Sequence, residues 1–403
     1  MDHAKSAIPR TSGQVVAPQG GIEKIIKVAI ERGASDIHIK AGDVFRARID
    51  GKLVPLTKQR LTPEQTKAIA LRLIPNQDER ANIDKLRDYD CSWGMPGVGR
   101  FRVNMLRQRS SLMIVMRVIP FDVPSFESLE LPPILQAVAL ATHGLALVTG
   151  PTGSGKSSTM AAMVNHINQN QQRHIVTLES PIEFLHRDIK SSVTQREIGV
   201  DTDDYRRGLR ATLRQDPDVV LIADLRDATI VDTALKAVET GHLVISALDT
   251  PDAETTVDRV VSMFDADDQE VARRRLADSL LAVVSQRLLR RADGRGRVAA
   301  VEVLLCTGAA RDIIRDPRRA PEMPGYLRIS REEYGTQTFD QHLVDLVAAG
   351  VVTHEAAMTA SPHSADLELQ IRGLPRRPPQ PADQVASSPH PMTDDLSSIL
   401  PSE

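Results

Sequence analysis

Two rhythms of apolar and polar positions divide this chain. Ile22, Ile25, Ile26, Ala29 and Ile30 recur at helical spacing, and Gly33 stands where it can end that helix. Ser35-Asp36-Ile37-His38-Ile39-Lys40 then alternates as a half-buried strand does. Val44–Ile49 and Lys52–Leu56 flank Asp50-Gly51, the pattern of a hairpin closed by a tight turn. Arg100–Leu106 and Ser111–Val118 predict another strand pair. A small α+β domain is therefore expected over residues 21–118.

Beyond it the rhythm changes. Pro120, Pro124, Pro132 and Pro133 punctuate residues 119–133, which read as a linker and inter-domain hinge. Leu145–Thr149, Ile175–Leu178, Val219–Ala223 and Leu243–Ala247 are short, unbroken apolar runs separated by helical stretches. Such runs suit strands of a parallel sheet covered on both faces, so an α/β domain is expected over residues 134–374. A long helix is predicted from Asp268 to Leu289. Residues 1–20 read as a flexible leader. Residues 375–403 hold seven prolines and many serines, the composition of a disordered tail. Asp394–Leu400 within it reads as plain tail before docking peptide.

Composition narrows the picture modestly. With 403 residues, 41% hydrophobic and 26% charged, the chain has the make-up of a soluble two-domain protein. A net charge of -3 and 3% aromatic residues argue against a nucleic-acid binder, which needs a basic surface or stacking platforms. Cys91 and Cys306 are too far apart for a C-x-x-C site and suit a reducing cytosol. Met1–Gly20 has no apolar stretch of signal-peptide type. The most apolar segment, Ile134–Val148, is interrupted at Thr142-His143-Gly144, so no transmembrane segment is expected.

The chemistry is concentrated in Gly150-Pro151-Thr152-Gly153-Ser154-Gly155-Lys156-Ser157, which satisfies G-x-x-x-x-G-K-[ST] at every fixed position. Its glycines let backbone N–H groups curl around a triphosphate. Lys156 brings charge to the β- and γ-phosphates, Ser157 can ligate Mg²⁺, and Ser158 continues into a helix whose positive end faces the same phosphates. Chance would produce this coincidence in about one or two chains of this length in a hundred. The apolar strand before the motif and the helical pattern after it reduce that further. Val219-Val220-Leu221-Ile222-Ala223-Asp224 follows as a Walker-B-like strand delivering a carboxylate to the sheet's C-terminal edge, where Asp224 can serve Mg²⁺ or water.

Further segments carry a family resemblance. Ala34-Ser35-Asp36-Ile37-His38, Gly99-Arg100-Phe101-Arg102-Val103-Asn104, Glu179-Ser180-Pro181-Ile182-Glu183-Phe184, Gln195-Arg196-Glu197-Ile198-Gly199, Leu213–Asp218, Glu239-Thr240-Gly241-His242 and Thr336–Gln341 stand in order along residues 21–374. Together with the P-loop they resemble the type II/IV secretion ATPase superfamily, in its twitching-motility branch of pilus-retraction (PilT/PilU-like) motors. Extension and secretion motors generally carry a four-cysteine zinc module after the ATPase core, and here that region has Cys306 alone. The resemblance implies a PAS-like N-terminal domain, a RecA-like ATPase domain using ATP and Mg²⁺, and a six-subunit ring. It also implies work at the cytoplasmic face of the inner membrane, against a pilus platform protein and with or without a paralogous retraction ATPase. The site residues it implies are Glu179, Glu183, Asp224 and His242 as catalytic groups and Arg100, Arg102 and Arg117 as the cations that meet developing phosphate charge. Taken singly, each of those arginines is an ordinary solvated strand residue.

Three positions depart from the family pattern. Ser180 replaces an Asp of the acidic box, Asp224 replaces the Walker-B Glu, and Asp249 replaces a second His before Thr250. Shortening Glu to Asp withdraws a carboxylate by about one bond length, which matters because a general base must reach its water within about 3.2 Å. Binding is thus expected to survive better than hydrolysis. Two readings stay open: redistributed carboxylates, with Asp224 or Glu179 activating water and Asp249 helping to hold Mg²⁺ through its waters, or a weakly hydrolysing accessory subunit that assists an active motor. A secretion or pilus-extension ATPase is the neighbouring confusion. Arg226 and Asp227 read as a structural or inter-subunit pair, Arg273–Arg275 as a solvated helix face, and Arg311–Arg315 as a partial match to a retraction-branch helix motif.

Overall fold

The computed structural model describes residues 21–49, 51–119 and 122–373. The leader, the tail with Asp394–Leu400, Asp50 and Pro120 lie outside the described residues. The chain divides into two compact units, 1–121 and 122–403.

The first unit is an antiparallel sheet backed by helices. Its strands are β1 (Ala34–Lys40), β2 (Arg46–Ile49), β3 (Lys52–Pro55), β4 (Asp88–Met95), β5 (Gly99–Gln108) and β6 (Ser111–Ile119), in the order β3-β2-β1-β6-β5-β4. Alternation decides the two faces: Phe101, Val103 and Met105 are fully buried, while Arg102 between them is exposed. The inner face packs against the helix Gly21–Glu31, through Ile22, Ile26 and Ala29, and against the helix Pro63–Leu73. Thr62 caps that second helix in a reciprocal capping box with Gln65, which satisfies two otherwise orphaned amides. On the outer face, register places Arg48, Asp36, Arg117 and Arg102 side by side across four strands.

The second unit is built on a mostly parallel sheet. Its strands are β7 (Gly144–Thr149), β8 (His174–Glu179), β9 (Ser192–Glu197), β10 (Val219–Ile222), β11 (Leu243–Leu248), β12 (Leu280–Arg290) and β13 (Arg297–Leu305), ordered β13-β12-β7-β11-β10-β8-β9. Every residue of β7, β10 and β11 is buried. Leu145 and Leu147 of β7 enter one core cluster while Ala146 and Val148 enter another, so both faces are covered, as parallel strands require.

Two expectations are corrected here. The long helix predicted from Asp268 to Leu289 ends at Ser279, and Leu280 opens β12. Leu280-Leu281-Ala282-Val283-Val284 suits a buried strand as well as a helix, and pairing decides: β12 runs parallel to β7 and antiparallel to β13. Of the linker expected over 119–133, the part from Phe126 onward is packed structure, since Phe126 and Leu131 are buried in the core beside the helix Ile134–Leu140.

Candidate functional site

Four parallel strands end together. In register, Thr149 of β7 pairs with Leu248 of β11, while Ile222 of β10 lies opposite Ser246 of β11 and Leu178 of β8. The next residues along each chain are Gly150, Asp249, Ala223-Asp224 and Glu179, so residues dispersed over a hundred positions converge on one sheet edge. This is the C-terminal edge, with β7 interior to the sheet, where open α/β folds place ligands. A cleft of about 360 Å³ lies there, lined by Thr152, Lys156, Ser157, Glu179, Asp224 and Asp249 among others.

The loop from Gly150 to Gly155 is held from beneath by β12. Gln286 donates from Nε2 to Ser154 O at 2.8 Å and accepts from Thr159 Oγ1 at 2.9 Å, while Thr149 Oγ1 donates to Ser285 Oγ at 2.8 Å. This proximity explains a glycine. Gly150 has φ 138°, and a Cβ there would stand 2.3 Å from Gln286 O. Gly155, with φ 96°, opens the helix Lys156–Asn170, whose Met160, Met163, Val164 and Ile167 anchor it in the core. Pro151, Thr152 and Gly153 are exposed, and Ser157 and Ser158 are partly so.

Lys156 folds over its own loop. Its Nζ donates to Gly150 O at 2.8 Å, Pro151 O at 3.3 Å and Asp249 Oδ1 at 2.6 Å. Asp224 is engaged elsewhere, accepting from Arg226 Nε at 3.0 Å, and the Arg226 guanidinium lies 5.1 Å from the centre of the Tyr205 ring.

Glu179 is a perturbed carboxylate of the cleft. Burial raises its pKa against three opposing hydrogen bonds, from Thr177 Oγ1 at 2.6 Å, Gln195 Nε2 at 3.0 Å and the Glu183 amide. Glu183 itself is exposed, and its negative charge adds to the upward push on Glu179. Burial also pushes the Tyr205 phenol up to about 12 and His186 down to about 4. Both line the cleft, and among the described residues neither Tyr205 Oη nor His186 Nδ1 finds a hydrogen-bond partner.

One expected site residue of this unit falls elsewhere. His242 is not brought to the cleft. It precedes β11 at the opposite end from Asp249, about 20 Å of strand away, and its Nδ1 faces Ala237 O at 2.8 Å. Arg226 and Asp227 do not pair with each other: Asp227 caps the helix Ala228–Glu239 and accepts from Arg206 at 3.1 Å. The Arg273–Arg275 face is not simply solvated either, since Arg273 binds Asp258 and Arg275 binds both Asp232 and Glu239 at 2.7 Å. Arg100, Arg102 and Arg117 lie on β5 and β6 of the first unit, and Arg117 Nε donates to Asp36 Oδ1 at 3.0 Å.

Sequence reasoning passed over Gln286, Ser285, Tyr205 and His186. The first two were hidden by reading β12 as helix. Tyr205 and His186 carry no motif of their own, and Gln195 stands in a quoted motif without an assigned role.

The family described as type II/IV secretion system protein matches residues 15–318. The type IV pilus ATPase PilU of Pseudomonas aeruginosa is 38% identical over 352 residues, covering 87% of this chain and 91% of that protein. The type IV pilus retraction ATPase PilT of the same organism is 39% identical over 336 residues, 83% of this chain and 96% of that protein. The crystal structure of a pilus retraction motor PilT with bound ADP superposes with a TM-score of 0.77 at 42% identity, covering 86% of this chain and 99% of that one.

Proposed function

This chain belongs to the type II/IV secretion system protein family, and from that premise we propose that it is an ATP-hydrolysing motor subunit of type IV pilus retraction. One observation carries the reading: the phosphate loop, Asp224 and Glu179 meet at a single sheet edge around one cleft. The inactive-accessory and secretion or extension readings are not favoured by relatives that match over most of the chain.

The residues fit a nucleotide with a divalent cation. Gly150, Gly153 and Gly155 of the loop all take positive φ, the conformation that lets backbone N–H groups curl around an anion, and the cleft also offers the Ser157 hydroxyl and carboxylates, the oxygen ligands that Mg²⁺ takes. Gly150–Ser158 would hold ATP, with Ser157 and Asp224 as the Mg²⁺ contacts. The cation would offset the charge that develops on the phosphates. Glu179 is suited to take a proton from the attacking water because burial makes its carboxylate a stronger base, and Thr177 and Gln195 fix its orientation. Asp224, one methylene short and drawn to Arg226, makes turnover slow. Arg100, Arg102 and Arg117 remain the proposed source of additional positive charge.

The resemblance further supports a PAS-like first unit, a six-subunit ring and work on an inner-membrane platform protein from the cytoplasmic face. Among the described residues no helix is long and apolar enough to cross a membrane.

Steady-state ATPase activity of the purified chain, with Lys156→Ala as the blank, tests the reading. Turnover above the blank supports a motor, and Asp224→Glu should raise it. Turnover equal to the blank would remove the motor role.

A further inference from the structure

Lys156 is fully engaged in this structure. An ammonium has three N–H donors, and three acceptors stand within reach: Gly150 O, Pro151 O and Asp249 Oδ1. Asp249 makes the shortest of these contacts, at 2.6 Å, and is the charged acceptor among them. A phosphate oxygen can reach Lys156 only by replacing one of the three. The two carbonyls belong to the loop that would cradle the phosphates. The Asp249 side chain is 69% exposed and can rotate away, so it is the partner to be displaced.

We propose that Asp249 is a specificity-determining residue of the cleft, competing with nucleotide phosphates for Lys156 and making nucleotide entry depend on a divalent cation. This rests on the reading that nucleotide binds here. The fold places the competitor well, because Asp249 follows Leu248 directly and Leu248 pairs in register with Thr149, the last residue before the loop. The neighbouring acid cannot substitute for it, since Asp224 is held by Arg226 at 3.0 Å.

Displacement does not remove the charge. Once off Lys156, the Asp249 carboxylate stays on the cleft wall with Glu179, Glu183 and Asp224, facing Lys156 and Arg226 as the cations of the lining. Metal-free triphosphate entering this lining meets like charge. A divalent cation arriving with the phosphates reverses the sign, because the same carboxylate can then accept hydrogen bonds from its hydration shell. Asp249 therefore opposes bare nucleotide and tolerates or assists the metal complex. In Asp249→Asn the side chain keeps its size, loses the like charge, and competes for Lys156 only as a neutral acceptor.

The test is calorimetric titration of the full chain with ATP, once with Mg²⁺ and once with EDTA. Asp249→Asn should tighten metal-free binding about fivefold to tenfold, the scale of an exposed ion pair plus a removed like charge. Mg·ATP binding should move less, so the ratio of the two affinities falls. Asp249→Glu, which keeps the charge, should keep the parent ratio. Glu270→Gln removes an equal charge from an exposed pair with Arg274 and should change neither affinity. If the parent binds ATP, Lys156→Ala does not, and Asp249→Asn keeps the parent ratio or weakens metal-free binding, the proposal is overturned alone. If the parent binds ATP no better than Lys156→Ala under either condition, the nucleotide reading falls and this proposal with it.

Discussion

The two sheets of this protein use side-chain chemistry in opposite ways. In the first unit the strands alternate, and the polar positions lie on the sheet's outer face: Arg48, Asp36, Arg117 and Arg102 form a row across four strands. In the second unit β7, β10 and β11 are buried throughout, and chemistry is pushed to the strand ends, where Gly150, Asp224 and Asp249 begin. The difference follows from topology. An antiparallel sheet can leave a face to solvent, whereas a parallel sheet carries helices on both faces and leaves only its edges open. A face gives an extended row of side chains laid out strand by strand. An edge gives convergence of residues from distant segments on one point, which is what phosphate chemistry needs.

Substitutions should separate these two designs. The largest effect is expected at Leu147, which is 1% exposed at the centre of β7 and packed into one of the unit's two core clusters. Leu147→Ala should destabilise the protein by about 2–5 kcal/mol in denaturant unfolding, and a cost below about 1 kcal/mol would break the claim that both faces are sealed.

Next is a buried charge on the same sheet. Burial pushes Glu302 of β13 up to about 7 from an ordinary value near 4.5. Its folded-state pKa is raised, so its contribution is fully present below about 4.5 and is lost as pH rises to about 7. Glu302→Gln should remove this loss, gaining on the order of 2–4 kcal/mol relative to the parent above pH 7 and little at pH 4. His186 and His342, held near 4 by burial, carry the opposite slope, so parent and variant are to be compared at each pH.

A smaller effect should come from the edge itself. Gln286→Ala removes the bridge from β12 to Ser154 and Thr159 and should weaken ATP binding about tenfold, with the fold intact by circular dichroism. Unchanged affinity would mean that the loop holds its shape without β12. The smallest stability effect is expected on the exposed face of the first unit. Arg102→Ala should shift stability by no more than about 0.5 kcal/mol while lowering turnover. A turnover equal to the parent's would leave the arginine row as surface alone.

How much of this was legible beforehand depends on the length scale of each signal. The phosphate loop was read from eight contiguous residues, because its chemistry is local: glycines for backbone curvature, Lys156 for charge, Ser157 for a cation. The strands β1, β7, β10 and β11 were read from period and apolar content, which are also local. The ordered family motifs gave the fold class and the activity. β12 was not legible, since Leu280–Val284 satisfies a helix and a strand equally and only the pairing with β7 and β13 decides between them.

Sequence alone thus determined that a triphosphate loop opens a helix after a buried strand, and that carboxylates follow at strand ends. Tertiary structure decided which of them share the cleft. It brought Glu179, Asp224 and Asp249 to Lys156's edge and left His242 at the far end of the same strand that delivers Asp249. It also gave Lys156 to Asp249 and Arg226 to Asp224. The physical reason is that strand direction and register fix which end of each segment faces the cleft, and hydrogen-bond partners at that end are chosen in space, by residues that no local pattern links.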